Sequence, residues 1–223
     1  MKTAGWDFMA KVYSFLEYMT CGRALAESRR FHLKHCLACE RILILGDGNG
    51  RFLHELYASG FQGEVVSVDC SQGMIAEAKK RCVAYTVRIK WIECGIEKLS
   101  LNELGKFDCL ITHYFWDVFE AEKGGGLLRK ALCEVDGLSY VGMADFSSAD
   151  GLKGWRALRQ RVILNVLFAC FRSITGIENR AMWSVDSVLQ SSGWSQVKEG
   201  TFGDQLVWAS WWTQDSCIEA VDL

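Results

Sequence analysis

Two hydrophobic rhythms alternate along this chain. Short runs in which most positions are apolar, RILIL at 41–45, EVVSVD at 64–69 and FDCLIT at 107–112, are separated by stretches whose apolar residues recur every three or four positions. A short apolar run closed by turn residues suits a strand covered on both faces, and the wider spacing suits a helix with one buried stripe. Strands are expected at 41–45, 64–69, 88–93, 107–112 and 139–145, with helices over 49–58, from a capping Ser71 onward, and over 127–134. Gly124, Gly125 and Gly126 read as a flexible break ahead of the last of these. Before the first strand, residues 6–39 read as two helices broken near Cys21-Gly22. After the fifth come helical stretches at 152–174 and 182–190, then a hairpin of 195–202 with 205–213 around Gly203-Asp204. Strands alternating with helices predict an α/β domain with a mainly parallel sheet.

Composition narrows this picture. At 223 residues, half of them hydrophobic, the chain suits one folded body: an N-terminal helical cap (1–40) and a ligand-binding domain (41–223) with a helical insertion at about 151–191. Against 25 Lys and Arg stand 27 Asp and Glu, so no basic field suits a polyanion and no nucleic-acid partner is expected. Ten cysteines at scattered spacings, and a start (MKTAGWDFMAKVYSF) without a secretory apolar core, predict free thiols in a reducing cytoplasm. The longest strongly apolar run, 162–171, is too short to span a bilayer.

The stretch RILILGDGNGRFLHEL at 41–56 changes the picture most. A buried strand runs into Gly46-x-Gly48-x-Gly50 and straight on into a helix, which exposes backbone N–H groups and a helix start to a ligand. A dinucleotide-binding turn needs a third glycine one residue later, where Arg51 stands, so a nicotinamide-dependent oxidoreductase is disfavoured. Ligands of such sheets lie outside the carboxyl ends of the strands. The second strand ends at Asp69, which either accepts the two hydroxyls of a ribose or caps the next helix. Cys70 and Met74 either pack a flat ring or belong to ordinary helix packing. Backbone N–H groups around Gly95 and Ile96, past the third strand, are placed to read the edge of a base. The fourth strand ends in Thr112-His113-Tyr114-Phe115 and the fifth in Asp145-Phe146.

Glycine turn, Asp69 and the last two strand ends together resemble the class I S-adenosylmethionine (SAM) methyltransferases, over roughly residues 41–213. Within that class the tail is most similar to the ubiquinone/menaquinone C-methyltransferase type, through Asp145-Phe146-Ser147 before a long apolar helix and Gly193-Trp194 before the sixth strand. The resemblance implies a Rossmann-like, doubly wound, seven-stranded sheet, mostly parallel with an antiparallel last strand, under an N-terminal helical lid. It implies SAM as methyl donor and S-adenosylhomocysteine as product, with Gly46, Asp47, Gly48, Asn49, Gly50, Asp69, Cys70, Met74, Gly95, Ile96 and Thr112 as the cofactor-binding set. Three positions depart from the pattern. Ile44 replaces the acid that helps hold the amino-acid end of SAM, with Asp47 as the nearest substitute. Gly95 replaces the Asp that meets the adenine amino group, and Asp136-Gly137 replaces Pro-Gly-Gly. The chain has no proline, so it carries neither the Asn/Asp-Pro-Pro-aromatic motif of DNA amino-methyltransferases nor the Pro-Cys of cytosine-5 enzymes.

Methyl transfer is an in-line displacement for which proximity and orientation do most of the work. A phenol or enol acceptor, with a pKa near ~10, still gains from a base. His113 is the candidate base at the ligand end, with a buried structural histidine as the alternative reading. Tyr114 and Asp117 are candidates to position the acceptor, Asp117 equally to cap a helix, and Asp145 is a second candidate base. Trp155, Val162, Ile163, Val166, Leu167 and Phe171, with Lys153, Arg156, Arg159 and Arg161 near the start, give a basic, apolar helix. It suits a small apolar acceptor (aromatic, quinone-like or lipid-like) or peripheral membrane contact, and equally a plain cover over the core. A SAM-binding partner protein without transfer is the rival reading, kept open by Ile44 and Gly95. His32, His35, Cys36 and Cys39 have helical spacing and metal-ligand chemistry, but one short helix supplies no second ligand element, so no metal is expected. Which atom is methylated, and the oligomeric state, are left open.

Overall fold

The structure, a computed structural model, describes residues 22–147, 154–175 and 183–214. Two helices, α1 (Gly22–Arg30) and α2 (Leu33–Cys36), precede β1 (Arg41–Leu45). Then follow α3 (Arg51–Ala58), β2 (Glu64–Asp69), α4 (Gln72–Arg81), β3 (Ile89–Glu93), β4 (Cys109–His113), α5 (Ala121–Glu134) and β5 (Tyr140–Phe146). The chain continues through α6 (Gly154–Thr175), α7 (Val185–Ser191), β6 (Trp194–Phe202) and β7 (Val207–Gln214). The seven strands form one sheet in the order β3-β2-β1-β4-β5-β7-β6. Pairings from β3 to β5 are parallel; β7 lies antiparallel to both β5 and β6. This is the doubly wound, seven-stranded α/β sheet expected from the sequence. The order reverses between β1 and β4, and a crevice opens where their following segments diverge.

The expected apolar runs explain the core. All four of Ile42 to Leu45 are buried, Leu43 and Leu45 on one face and Ile42 and Ile44 on the other. Both faces of a central parallel strand are covered by helices, so the run is continuous rather than alternating. The face holding Leu43 packs on α5 and α7 through Leu128, Leu132, Val188 and Leu189; the other packs on α3 through Phe52, Leu53 and Leu56.

Three details differ from the sequence reading. The helix after the glycine turn starts at Arg51 rather than Asn49, because Gly50 sits in the left-handed region (φ 76°) as its N-cap. The glycine run at 124–126 is no break: α5 passes through it from Ala121. A Cβ at Gly124 would sit 2.5 Å from Trp183, whose indole N–H reaches the carbonyls of Trp116 and Phe119 at 3.2 and 3.1 Å. Gly124 thus makes room for a ring, and the packing recovered offsets the roughly 1 kcal/mol that a helical glycine costs. The closing strands begin at Trp194 and Val207, with Asp204 and Gln205 at positive φ in the turn between them. The N-terminal helix expected before Cys21 lies outside the described residues.

Candidate functional site

The crevice at the sheet reversal is a cleft enclosing about 970 Å³, part of it open to solvent. Its floor is the turn after β1. Gly46, Gly48 and Gly50 all have positive φ, but each for its own reason. A Cβ on Gly46 would strike the Phe115 ring. One on Gly50 would come within 2.8 Å of Ala78 on α4, so that glycine sets helix packing. One on Gly48 would meet only Met74 Sδ, at 3.9 Å, so its bare backbone faces open space.

Asp69 ties the turn to β2. Its Oδ2 accepts the Gly48 N–H at 3.1 Å and its Oδ1 accepts the Ser71 N–H at 2.9 Å. The cap of α4 is Ser71, whose hydroxyl accepts the Met74 N–H at 3.1 Å. The capping alternative for Asp69 is therefore not realised: the residue lines the cleft with its carboxylate locked by backbone donors. Asp47 lines it too. Its Oδ2 is buried without a hydrogen-bond partner among the described residues. Burial pushes the Asp47 carboxyl up to about 7; Arg29 opposes this rise and Asp69 adds to it.

Of the other residues singled out from the sequence, Asn49, Cys70, Met74, Gly95, Ile96, His113 and Tyr114 line the cleft. Four do not. Gly50 packs on Ala78. Thr112 is buried, its hydroxyl accepting the Trp116 indole N–H at 3.0 Å. Asp117 and Asp145 lie buried outside the cleft lining and close to one another. Asp145 accepts the Phe146 N–H at 2.8 Å. Burial holds Asp117 up at about 7; burial and then the Asp117 charge hold Asp145 well above the carboxylate range. Two such carboxyls cannot both ionise cheaply, and neither lines the cleft in which the sequence placed them.

Sequence reading gave no ligand role to Arg29, Arg51, Val118 and Phe119, all in the cleft wall, where Glu97 and Phe115 of the expected strand ends join them. Phe115 packs edge-on to Phe119, giving one side an aromatic face. Arg29 belongs to α1, and no motif links that helix to the glycine turn. The guanidinium is buried, 5.3 Å over the Tyr114 ring. Next to it, the Ser28 hydroxyl bonds that of Tyr114. Tyr114 has φ 54° and donates its N–H to Ala144 at 2.8 Å.

His113 is buried at the cleft wall. Its Nε2 lies 3.0 Å from His32 Nδ1, and His32 Nε2 lies 3.0 Å from the Ser210 carbonyl. His113 Nδ1 is buried with no partner among the described residues. Burial, with the neighbouring His32 and Arg29, holds this ring well below the ordinary histidine range, and burial takes His32 down to about 4. Both rings are neutral at pH 7. The four residues His32, His35, Cys36 and Cys39 do not converge: His32 faces His113, His35 stacks on Trp211 at 5.0 Å, and Cys36 and Cys39 pack near Cys109. Among the described residues no three His, Cys, Asp or Glu side chains are grouped to hold a metal ion.

Comparison with known proteins bears on this cleft. Residues 42–132 match a family model described as a methyltransferase domain. No curated protein matches the chain by sequence. Among solved structures, the DhpI–S-adenosylhomocysteine complex is 14% identical, covering 96% of this chain and 95% of that one at a TM-score of 0.64. The N-methyltransferase NodS from Bradyrhizobium japonicum WM9, with S-adenosylhomocysteine, is 14% identical over 92% and 98%, at 0.60. The O-methyltransferase NcsB1 from neocarzinostatin biosynthesis, with SAM and 2-hydroxy-5-methyl naphthoic acid, is 11% identical over 92% of this chain at 0.63; the chain spans 56% of its length. At residues 42–132, which hold the glycine turn, Asp69 and His113, this chain matches the methyltransferase-domain family, and its whole described sheet has the fold seen in SAM-dependent methyltransferases.

Proposed function

We propose that the cleft binds SAM and that the protein transfers the methyl group to a small, largely apolar acceptor, leaving S-adenosylhomocysteine. The observation that carries this is the pair of carboxylates flanking the glycine turn. Asp69 is fixed by backbone donors at the rim where ribose hydroxyls would lie, and Asp47 holds a buried oxygen in want of a donor. The ammonium of the methionine end fits that oxygen, and Asp47 thus takes over where Ile44 removes the usual acid. Open space over Gly48 fits a ligand against the backbone, with Met74, Cys70 and Ile96 in the lining for a flat base.

Bound SAM supplies an electrophilic methyl and its own leaving group, so the chain's residues have only to bind, orient and manage a proton. Tyr114 and the aromatic wall exclude water and orient the acceptor, and His113, neutral at pH 7, accepts its hydrogen. Within the proposed N-terminal cap, α1 brings Arg29 to the cleft and Ser28 to Tyr114. The apolar acceptor is supported by Phe115, Val118 and Phe119, and contact with a greasy surface by Trp155, Leu158 and Val162, exposed along α6. No helix among the described residues is long and apolar enough to cross a membrane. A cytoplasmic setting is supported by the free thiols of Cys36, Cys39, Cys70, Cys82, Cys94, Cys109 and Cys133.

Calorimetry with SAM, S-adenosylhomocysteine and NAD tests the binding half, and labelled-methyl transfer into aromatic and lipid extracts tests the reaction. Binding of SAM and its product but not NAD is expected. Absence of SAM binding overturns the reading; SAM binding without transfer to any extract points to a non-catalytic SAM-binding partner.

A further inference from the structure

We propose that His32 is a positioning residue that fixes the tautomer of His113, so that Nδ1 presents a bare lone pair and selects an acceptor bearing an O–H or N–H hydrogen. This rests on the methyltransferase reading above and deepens it.

The argument is one of hydrogen-bond parity. A carbonyl only accepts, so the contact between His32 Nε2 and the Ser210 carbonyl at 3.0 Å requires the hydrogen on Nε2. In a neutral imidazole the other nitrogen is then an acceptor. His32 Nδ1 therefore needs a donor, and the group 3.0 Å away is His113 Nε2. The hydrogen of His113 sits on that nitrogen, which leaves Nδ1 as a lone pair. That atom is buried and unpartnered among the described residues, on a residue that lines the cleft. Leaving a buried acceptor without a donor is unfavourable, so a ligand that supplies a hydrogen is favoured there.

The surroundings hold the arrangement. Phe52 packs edge-on to the His113 ring at 4.6 Å, and Phe31 edge-on to His32 at 5.2 Å. A Cβ on Gly142 of β5 would lie 2.8 Å from His32 Cδ2, so that glycine is the space into which the ring fits. The charged and titratable groups acting on the two rings are Arg29 of α1, His35 of α2 and the rings themselves. A ring held neutral keeps its lone pair at pH 7. Such a weak base suffices because the hydrogen of a hydroxyl or amine becomes strongly acidic only as its oxygen or nitrogen is alkylated. The proton then moves from the acceptor to Nδ1, and the imidazolium charge is shared with His32 across the Nε2–Nδ1 bond.

Long-range proton–nitrogen correlation spectra of the ¹⁵N-labelled full chain with S-adenosylhomocysteine read the tautomer directly. The chain has only four histidines, and single variants assign them. Expected are an unprotonated Nδ1 and a protonated Nε2 on His113 in the wild type. In His32→Leu the two tautomers mix, and transfer to hydroxyl and amine probes (salicylate and anthranilate) falls at least about tenfold with S-adenosylhomocysteine affinity within twofold. His32→Gln restores both, its amide oxygen accepting from His113 and its amide N–H donating to Ser210. A protonated Nδ1 in the wild type, or an unchanged tautomer in a folded His32→Leu, overturns the proposal. Products methylated only at carbon overturn the acceptor class. Loss of S-adenosylhomocysteine binding would instead overturn the cofactor reading and leave the tautomer result standing; the wild-type spectrum decides even if the leucine variant does not fold.

Discussion

The Asp69 carboxylate accepts the backbone N–H of Gly48 at 3.1 Å and so joins the end of β2 to the glycine turn after β1. One side chain thereby shapes the floor of the cleft and, in the proposed function, faces the ribose hydroxyls. Asp69→Ala loses both roles. Hydrogen bonds to a charged group are worth about 1.5–3 kcal/mol, so SAM affinity should fall by roughly 10- to 150-fold in calorimetry. Asp69→Asn, which keeps an oxygen for one N–H, should lose less.

Asp47 makes the pH dependence of binding specific. Its carboxyl is held up to about 7, chiefly by burial. A cationic ammonium needs the ionised form, so SAM should bind more tightly as pH rises from 5.5 to 7, approaching tenfold per unit below the pKa. Nearly one proton should be released per SAM bound at pH 5.5, falling to about half at pH 7, measurable from heats in buffers of different ionisation enthalpy. Asp47→Asn should bind weakly and with a flat pH profile.

His113→Ala should slow methyl transfer by about 10²-fold or more while SAM affinity stays within a few-fold, because the proposed role of the ring is to accept the acceptor's hydrogen and its hydrogen-bond partner is His32 rather than the glycine turn. Full turnover of the variant on an identified acceptor removes His113 from the mechanism.

The buried Asp117 and Asp145 pair links stability to pH. Folding raises both carboxyls above their ordinary values, so the folded state holds protons that the unfolded chain sheds. Their contribution is complete below pH ~4 and is lost as pH rises through about 7. His32 works in the opposite sense: its depressed value favours the fold above pH ~6.5, an advantage lost as pH falls towards about 4. Asp117→Asn should therefore raise Tm at pH 8 more than at pH 5, by about 2–4 °C for each kcal/mol recovered. An equal shift at both pH values by scanning calorimetry contradicts the paired-carboxyl assignment.

Tyr114 holds a positive φ that costs an ordinary side chain about 1–3 kcal/mol, and the Ser28 hydroxyl is one of the groups that keep it there. Tyr114→Phe keeps the ring and removes that bond, worth about 1 kcal/mol. Amide exchange over α1 should quicken several-fold while that of β1 and β4 is unchanged.

Much of the sheet was legible because its signal is local. A parallel strand covered on both faces reads as RILIL wherever it lies, and positive-φ glycines declare the turn that follows. Several cleft-lining residues sit in sequence next to those strand ends, so Asp47, Asp69, Met74 and Ile96 could be named from pattern alone. The glycines at 124–126 misled because the ring that fills their space, Trp183, is distant in the chain and leaves no mark beside them.

The sequence by itself determined the class of sheet, the place of the turn and the two acids beside it, since each depends on spacing within one βαβ unit. Only the tertiary structure decided what the acids and histidines face. It put Arg29 in the cleft, withdrew Asp117 and Asp145 from it, and set His32 against His113 from 81 residues away. Those outcomes come from packing between elements that are far apart in the chain, and a local pattern of hydrophobic and polar positions carries no information about which distant surface will close over it.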